Sequence, residues 1–211
     1  MPSFPWERLL AQWTEEIALY SDGQDDPALQ IQRTGLSSAV GATEDQIKAS
    51  EARLGVTFPP SYRQFLHVSN GWQAAGRRLR PLDEVQWFAA EEPETVDAWT
   101  RAGLDDTVSD EEYLVYGDRA NQPLRAEYLQ TALAIGDHDE GTYLLNPQTR
   151  TPEGEWEAWF FAHWVPGADR YRSFWDLMVA EHKHSLYILK SSKSEPTPRA
   201  DASLVLQPQL R

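Results

Sequence analysis

Trp6, Leu9, Leu10, Trp13 and Ile17 recur every three or four residues, and Tyr20 extends the row. That period predicts an amphipathic helix at the start of the chain. The polar, proline-containing run "SDGQDDPALQ" breaks it. Thr43 then opens a second helix, because "TEDQ" has the Thr-x-x-Gln form of a capping box. Ile47 and Leu54 mark its apolar side, and Gly55 closes it. A short third helix follows Pro59 and Pro60, since a proline in the first turn loses no hydrogen bond. Tyr62, Phe65, Leu66 and Ser69 hold the helical spacing, and Asn70-Gly71 offers left-handed backbone to stop it.

Beyond this point the period shortens. "RPLDEVQWF" combines a turn with an apolar segment readable as strand or short helix, and "EPETVDAWTRAG" reads as a helix from near Pro93 to Gly103. After the acidic run "LDDTVSDEE", Tyr113 to Tyr116 is a strand candidate. "TALAIGDHDEGTYLLNP" places two apolar runs around a polar connection, which predicts a hairpin, and Pro147 and Pro152 bound a further loop. "GEWEAWFFAHWVPG" satisfies both periods. Its aromatic density between Gly154 and Pro166-Gly167 favours a strand buried or partly buried on both sides. The last helix starts at Ser173, with Phe174, Leu177, Met178, Leu186 and Leu189 as its stripe. From Lys190 onward the composition is that of a flexible tail. Helices first, clustered strands next and a long closing helix predict an α+β fold with a mainly antiparallel sheet flanked by helices.

The 211 residues suffice for a core without staples, and the nine Trp supply much of it. With no Cys, disulfides, thiolate metal sites and Cys nucleophiles are excluded. No apolar run reaches the ~18 residues that span a bilayer, and the N-terminus lacks a secretory pattern, so a cytoplasmic protein is expected. Against 19 basic residues stand 33 acidic ones, a net charge of −14. Such a body repels phosphate backbones and attracts a basic protein partner.

Candidate chemistry is sparse. "GDHDEG" carries Asp137 and Asp139 but lacks the full ligand spacing of a calcium loop, and reads as a solvated turn. His182 and His184 are two apart, not the three or four of a helical metal pair. His138 and His163 have no local partner, so no metal site is expected. Glu153, Glu155 and Glu157 alternate beside Trp156 and Trp159, an arrangement paired-carboxylate hydrolysis would use. Alternating carboxylates on a strand are expected to be solvated. No nucleophile elbow, P-loop or dinucleotide fingerprint occurs, so no cofactor and no catalytic residue is assigned.

"TEDQIKASEARLGVTFPPSYRQFLHVSNGW" resembles the signature of the SUKH superfamily, the Smi–Knr type, at Ile47, Glu51, Leu54, Gly55, Pro59, Tyr62, Phe65, Leu66, Asn70 and Gly71. Phe58 departs mildly, where a Leu often stands. "LAIGDHDEGTYLLNP" and "YRSFWDLM" are similar to the family's hairpin and closing helix, so the likeness spans about residues 40–182. The resemblance implies a SUKH-like domain at 36–189, with 1–35 a helical extension packed on it and 190–211 a flexible tail. It implies an immunity protein that neutralises a polymorphic toxin, nucleases among them, delivered by contact-dependent or type VI secretion. The alternative is a non-catalytic scaffold binding an endogenous cytosolic protein. Asp105, Asp106, Asp110, Glu111 and Glu112, with Asp137, Asp139 and Glu140, are the expected contacts for a basic partner. Trp72 and Trp87 are expected as exposed anchors.

Overall fold

The computed structural model describes residues 3–20, 40–74, 76–103, 108–116, 122–162, 164–165 and 167–194. Helix α1 (Trp6–Tyr20) is followed by α2 (Glu44–Leu54) and α3 (Pro60–Val68). Thr43 and Gln46 close the anticipated capping box on α2, and Gly55 ends it at φ 71. Caps of this kind contribute about 1 kcal/mol. The end of α3 differs from expectation. Ser69 leaves the helix in extended conformation, and the only positive φ here is at Gly71, φ 96, where the chain turns into the sheet. A Cβ on Gly71 would sit 3.1 Å from the Pro81 nitrogen, while Asn70 Oδ1 accepts the Leu82 N–H. Asn70 therefore braces the neighbouring turn.

Strands β1 (Trp72–Ala74), β2 (Arg77–Leu79) and β3 (Gln86–Trp87) lead into α4 (Phe88–Glu91) and α5 (Pro93–Ala102), so "RPLDEVQWF" yields turn, strand and helix in succession. Tyr113 to Tyr116 is not a strand. Asp110–Tyr113 forms a helical turn, α6, because Ser109 Oγ accepts the Glu112 N–H and satisfies its first turn. A 3-10 helix (Ala126–Thr131) precedes β4 (Leu133–His138), β5 (Gly141–Arg150), β6 (Trp156–Phe161), β7 (Ala168–Tyr171) and α7 (Phe174–Ser194). Two boundaries move. β5 continues through Pro147 with a register shift between Asn146 and Arg150, leaving only the Thr151–Glu155 connection as loop. α7 runs past Lys190 to Ser194. Residues 195–211 lie outside the described residues.

The seven strands pair antiparallel in the order β1-β2-β4-β5-β6-β7, with β2 and β3 sharing one edge of β4 end to end. The fold is thus α+β with an antiparallel sheet between helices. Alternation along each strand sorts side chains to two faces. Leu133, Ile135, Tyr143, Leu145, Trp156 and Ala158 pack under residues of α1, α2, α3 and α7. Ala134, Leu144, Trp159 and Phe161 meet Phe88, Val96 and Leu129 on the other face. That is why β6 fits no simple alternation of apolar and polar residues: both of its faces are buried.

Helix α1 sits on the first face. Trp6 Nε1 donates to the Ser61 carbonyl at 3.0 Å and Trp13 Nε1 to Ser185 Oγ at 3.2 Å, while Glu16 pairs with His182 at 2.5 Å. The anticipated stripe on α7 turns polar halfway. After Phe174, Leu177 and Met178 it continues as buried Glu181 and Ser185. Glu181 accepts from Arg77 Nε at 2.6 Å and from the Tyr143 hydroxyl at 2.8 Å, so β2 and β5 supply the partners a buried carboxylate requires. No helix among the described residues is long and apolar enough to cross a membrane.

Candidate functional site

At the end of the sheet remote from the β4–β5 turn, four segments enclose a cleft of about 580 Å³. Phe4 comes from the chain ahead of α1, and Leu114 and Tyr116 from the residues after α6. The β5–β6 connection brings Arg150, Glu153 and Glu155, and the entry to α7 brings Arg172, Trp175 and Asp176.

The floor is held by an ion pair that sequence alternation does not reveal. Glu157 and Arg170 have side chains 0% exposed. Arg170 donates to Glu157 Oε1 through Nε at 2.9 Å and Nη2 at 2.6 Å, and also to the carbonyls of Pro123 and Tyr113. Glu157 Oε2 accepts from the Tyr113 hydroxyl and from Asn146 Nδ2, each at 2.9 Å. The guanidinium lies 3.5 Å over the Tyr113 ring. Burial, followed by the Glu157 charge, pushes the Tyr113 hydroxyl well above its usual range. Every charge here is matched, which makes the group a lock tying α6 to β5, β6 and β7.

Glu155 is different. It is 5% exposed, and its carboxylate accepts the Ser61 N–H at 2.8 Å and the Ser61 O–H at 2.6 Å. Among the described residues it forms no ion pair. Burial raises its pKa, outweighing the Ser61 hydrogen bonds, and nearby Asp176 and Glu153 raise it further. The expectation that Glu155 and Glu157 are solvated is therefore overturned. Nor do they act as a matched pair: Glu155 is held by α3 on one face, Glu157 by β7 and α6 on the other.

The raised pKa fixes a sign. A carboxyl that holds its proton more tightly folded than unfolded favours folding below the ordinary range near 4.5. That contribution is lost as pH rises through the elevated folded value. Glu155→Gln removes the titration and keeps an acceptor for the Ser61 N–H. Its stability relative to wild type is expected to improve on going from pH 4 to pH 7, measured by urea unfolding at both. A difference independent of pH would contradict the shift.

The sequence-predicted contacts fall at separate places. Asp110, Glu111 and Glu112 are exposed on α6 beside the cleft, and Asp110 is paired with Arg125 at 2.5 Å. Asp105 and Asp106 lie outside the described residues. Asp137, Asp139 and Glu140 are at the β4–β5 turn, and Asn146 on the locked side is five residues along β5 from Gly141. At strand rise that is roughly 17 Å, so the two acidic groups do not form one patch. Asp137 is engaged by Arg80 at 2.8 Å and Arg78 at 3.6 Å, leaving Asp139 and Glu140 exposed. Among the described residues, no group of three or more His, Asp or Glu could hold a metal ion.

The anchors need correction. Trp72 is 5% exposed and packs against Trp13 with ring centroids 4.6 Å apart, because β1 turns it beneath α1. Trp87 is half-buried and packs against the same core. Sequence reasoning missed Trp175, half-buried at the cleft, whose ring contacts Phe4 at 5.6 Å and Trp6 at 4.8 Å. The one available signal was its place two residues after the capping Ser173, in the first turn of α7.

The model of the SMI1 / KNR4 family (SUKH-1) matches residues 41–180, from just before α2 into α7. No curated protein matches the chain.

Proposed function

Because the chain belongs to the SMI1 / KNR4 family (SUKH-1), we propose that it is an immunity protein that binds a cognate secreted bacterial toxin and covers its active site. That family includes toxin immunity proteins. The toxin presents a basic surface, as a nuclease does, and reaches the cell by contact-dependent or type VI secretion. The protein transforms no substrate in this reading. It works in the cytoplasm by occupying the toxin, with residues 36–189 as the working unit and α1 packed upon it.

The observation that carries the charge argument is the net −14 of the chain. Exposed carboxylates accelerate encounter with a cationic surface and make binding salt-dependent. Asp110, Glu111 and Glu112 flank the cleft, and Asp139 and Glu140 crown the opposite end of the sheet.

Co-expression with the product of the neighbouring gene tests the reading directly, and growth is expected to be rescued. With that toxin in hand, neutralising 110–112 and, separately, 139–140 is expected to lower affinity and flatten its salt dependence for whichever end makes contact. Affinity and salt slope unchanged in both variants would remove the acidic surfaces from the interface. Failure of rescue would remove the toxin.

A further inference from the structure

We propose that the cleft at the end of the sheet is a receptor for a lysine or arginine side chain of a protein partner, seated between Glu153, Glu155 and Asp176 against the Phe4–Trp175 wall. The assignment rests on the reading of this chain as one that works by binding another protein, and it names the chemistry of the contact.

Three observations converge on it. The first is space: about 580 Å³ lies within the roughly 300–1,000 Å³ of clefts that enclose a ligand group. The second is unmatched charge on a rigid mount. Glu51, Glu157 and Glu181 are each met by an arginine at 2.6–2.9 Å. Glu155 is buried as well and pinned by two bonds from Ser61, yet among the described residues it forms no ion pair, and the neighbouring charges Asp176 and Glu153 are of its own sign. A cation entering beside it would neutralise a charge that the fold leaves uncompensated. The third is the wall. Phe4 and Trp175 are in contact, Trp175 is backed by Trp6, and Trp6 is tied to Ser61, the residue that holds Glu155. An aromatic face beside carboxylates suits the alkyl stem and charged head of a basic side chain.

Arg150 and Arg172 also line the cleft, but they are drawn aside. Arg150 lies over Trp156 with its Nε donating to the Pro147 carbonyl, and Arg172 lies over Tyr116. Neither forms an ion pair with Glu153, Glu155 or Asp176. They divide the cleft into a cationic rim and an anionic seat, so an acidic ligand is the competing occupant.

The test uses the full chain and a peptide, acetyl-Gly-Arg-Gly-amide, followed through the indole N–H resonance of Trp175, assigned with Trp175→Phe. The citrulline peptide, of the same shape but uncharged, and acetyl-Gly-Glu-Gly-amide are the controls. A saturable shift with the arginine peptide alone is expected. Combining Glu153→Gln with Asp176→Asn, both at exposed positions, is expected to weaken binding about fivefold or more, while Arg172→Gln leaves it or tightens it. The proposal is overturned if no saturable shift occurs, if citrulline binds equally, if removing the carboxylates changes nothing, or if the acidic peptide binds through Arg172. Growth rescue is a separate readout. Rescue without cation binding places the toxin elsewhere on the surface, and cation binding without rescue gives the cleft a partner that is not a toxin.

Discussion

Arg170→Ala is expected to destabilise the protein by about 3–5 kcal/mol, a large part of the roughly 5–15 kcal/mol that holds a domain together. The loss is more than that of one ion pair. Glu157 would keep its charge with a side chain 0% exposed and no cation beside it. The carbonyls of Pro123 and Tyr113 would lose their donor, and the Tyr113 ring its 3.5 Å cation. Adding Glu157→Gln to the variant removes the stranded charge while retaining an acceptor for the Tyr113 hydroxyl. The double variant is therefore expected to be more stable than Arg170→Ala alone, although each substitution is damaging in the wild-type background. Urea unfolding of the three variants supplies the comparison. Hydrogen exchange at the Tyr113 amide, which donates to the Ser109 carbonyl at 2.8 Å, should accelerate as α6 loses its tether. A loss below about 1 kcal/mol would show that the pair does not hold this end of the sheet.

What could be read from the sequence was what short range decides. The Thr43 box and the Gly55 stop lie within the segment they bound, and both appear where the residues place them. The same holds for the turn between β4 and β5 and for the aromatic strand β6, whose apolar density already implied two covered faces. Where apolar spacing and capping chemistry disagreed, capping prevailed. Tyr113 to Tyr116 has a strand's composition, yet Ser109 with Glu112 three residues on is an N-cap signal that the apolar spacing obscured.

The cleft was scarcely legible, for a physical reason. Whether a carboxylate is buried depends on what meets it, and nothing adjacent to Glu155 or Glu157 announces a partner. Ser61 is 94 residues from Glu155, and Arg170 is 13 residues from Glu157 on a different strand. The alternation of Glu153, Glu155 and Glu157 suggested a solvated face. In the fold, Glu153 is exposed, Glu155 is turned to α3 and Glu157 is sealed under α6. Trp72 illustrates the converse. Its neighbours Asn70 and Gly71 signalled only the end of a helix, but the Gly71 backbone swings the strand under α1, and Trp13 covers the ring.

That contact bears on the helix ahead of the family match, which begins at residue 41. Trp13→Ala is expected to cost about 3–5 kcal/mol, in the range for emptying a buried tryptophan site. Trp13 is fully buried, with Trp72 at 4.6 Å, His182 at 5.1 Å and the Arg77 guanidinium at 5.9 Å around its ring. Its indole N–H also satisfies Ser185 Oγ on α7. Glu15→Ala, two residues on and exposed, is the matched control and should fall within about 0.5 kcal/mol of wild type. Deleting residues 1–20 extends the test, since it uncovers Trp72, Phe65, Phe174 and Trp175 together. The truncated chain is expected to lose cooperative unfolding or to aggregate, as an apolar face of that size does in water. If it instead unfolds at the wild-type urea midpoint, α1 is an attachment resting on a finished domain. If it does not, the first twenty residues complete a core that the matched segment cannot close by itself, and the Phe4–Trp175 wall of the cleft exists only because α1 is in place.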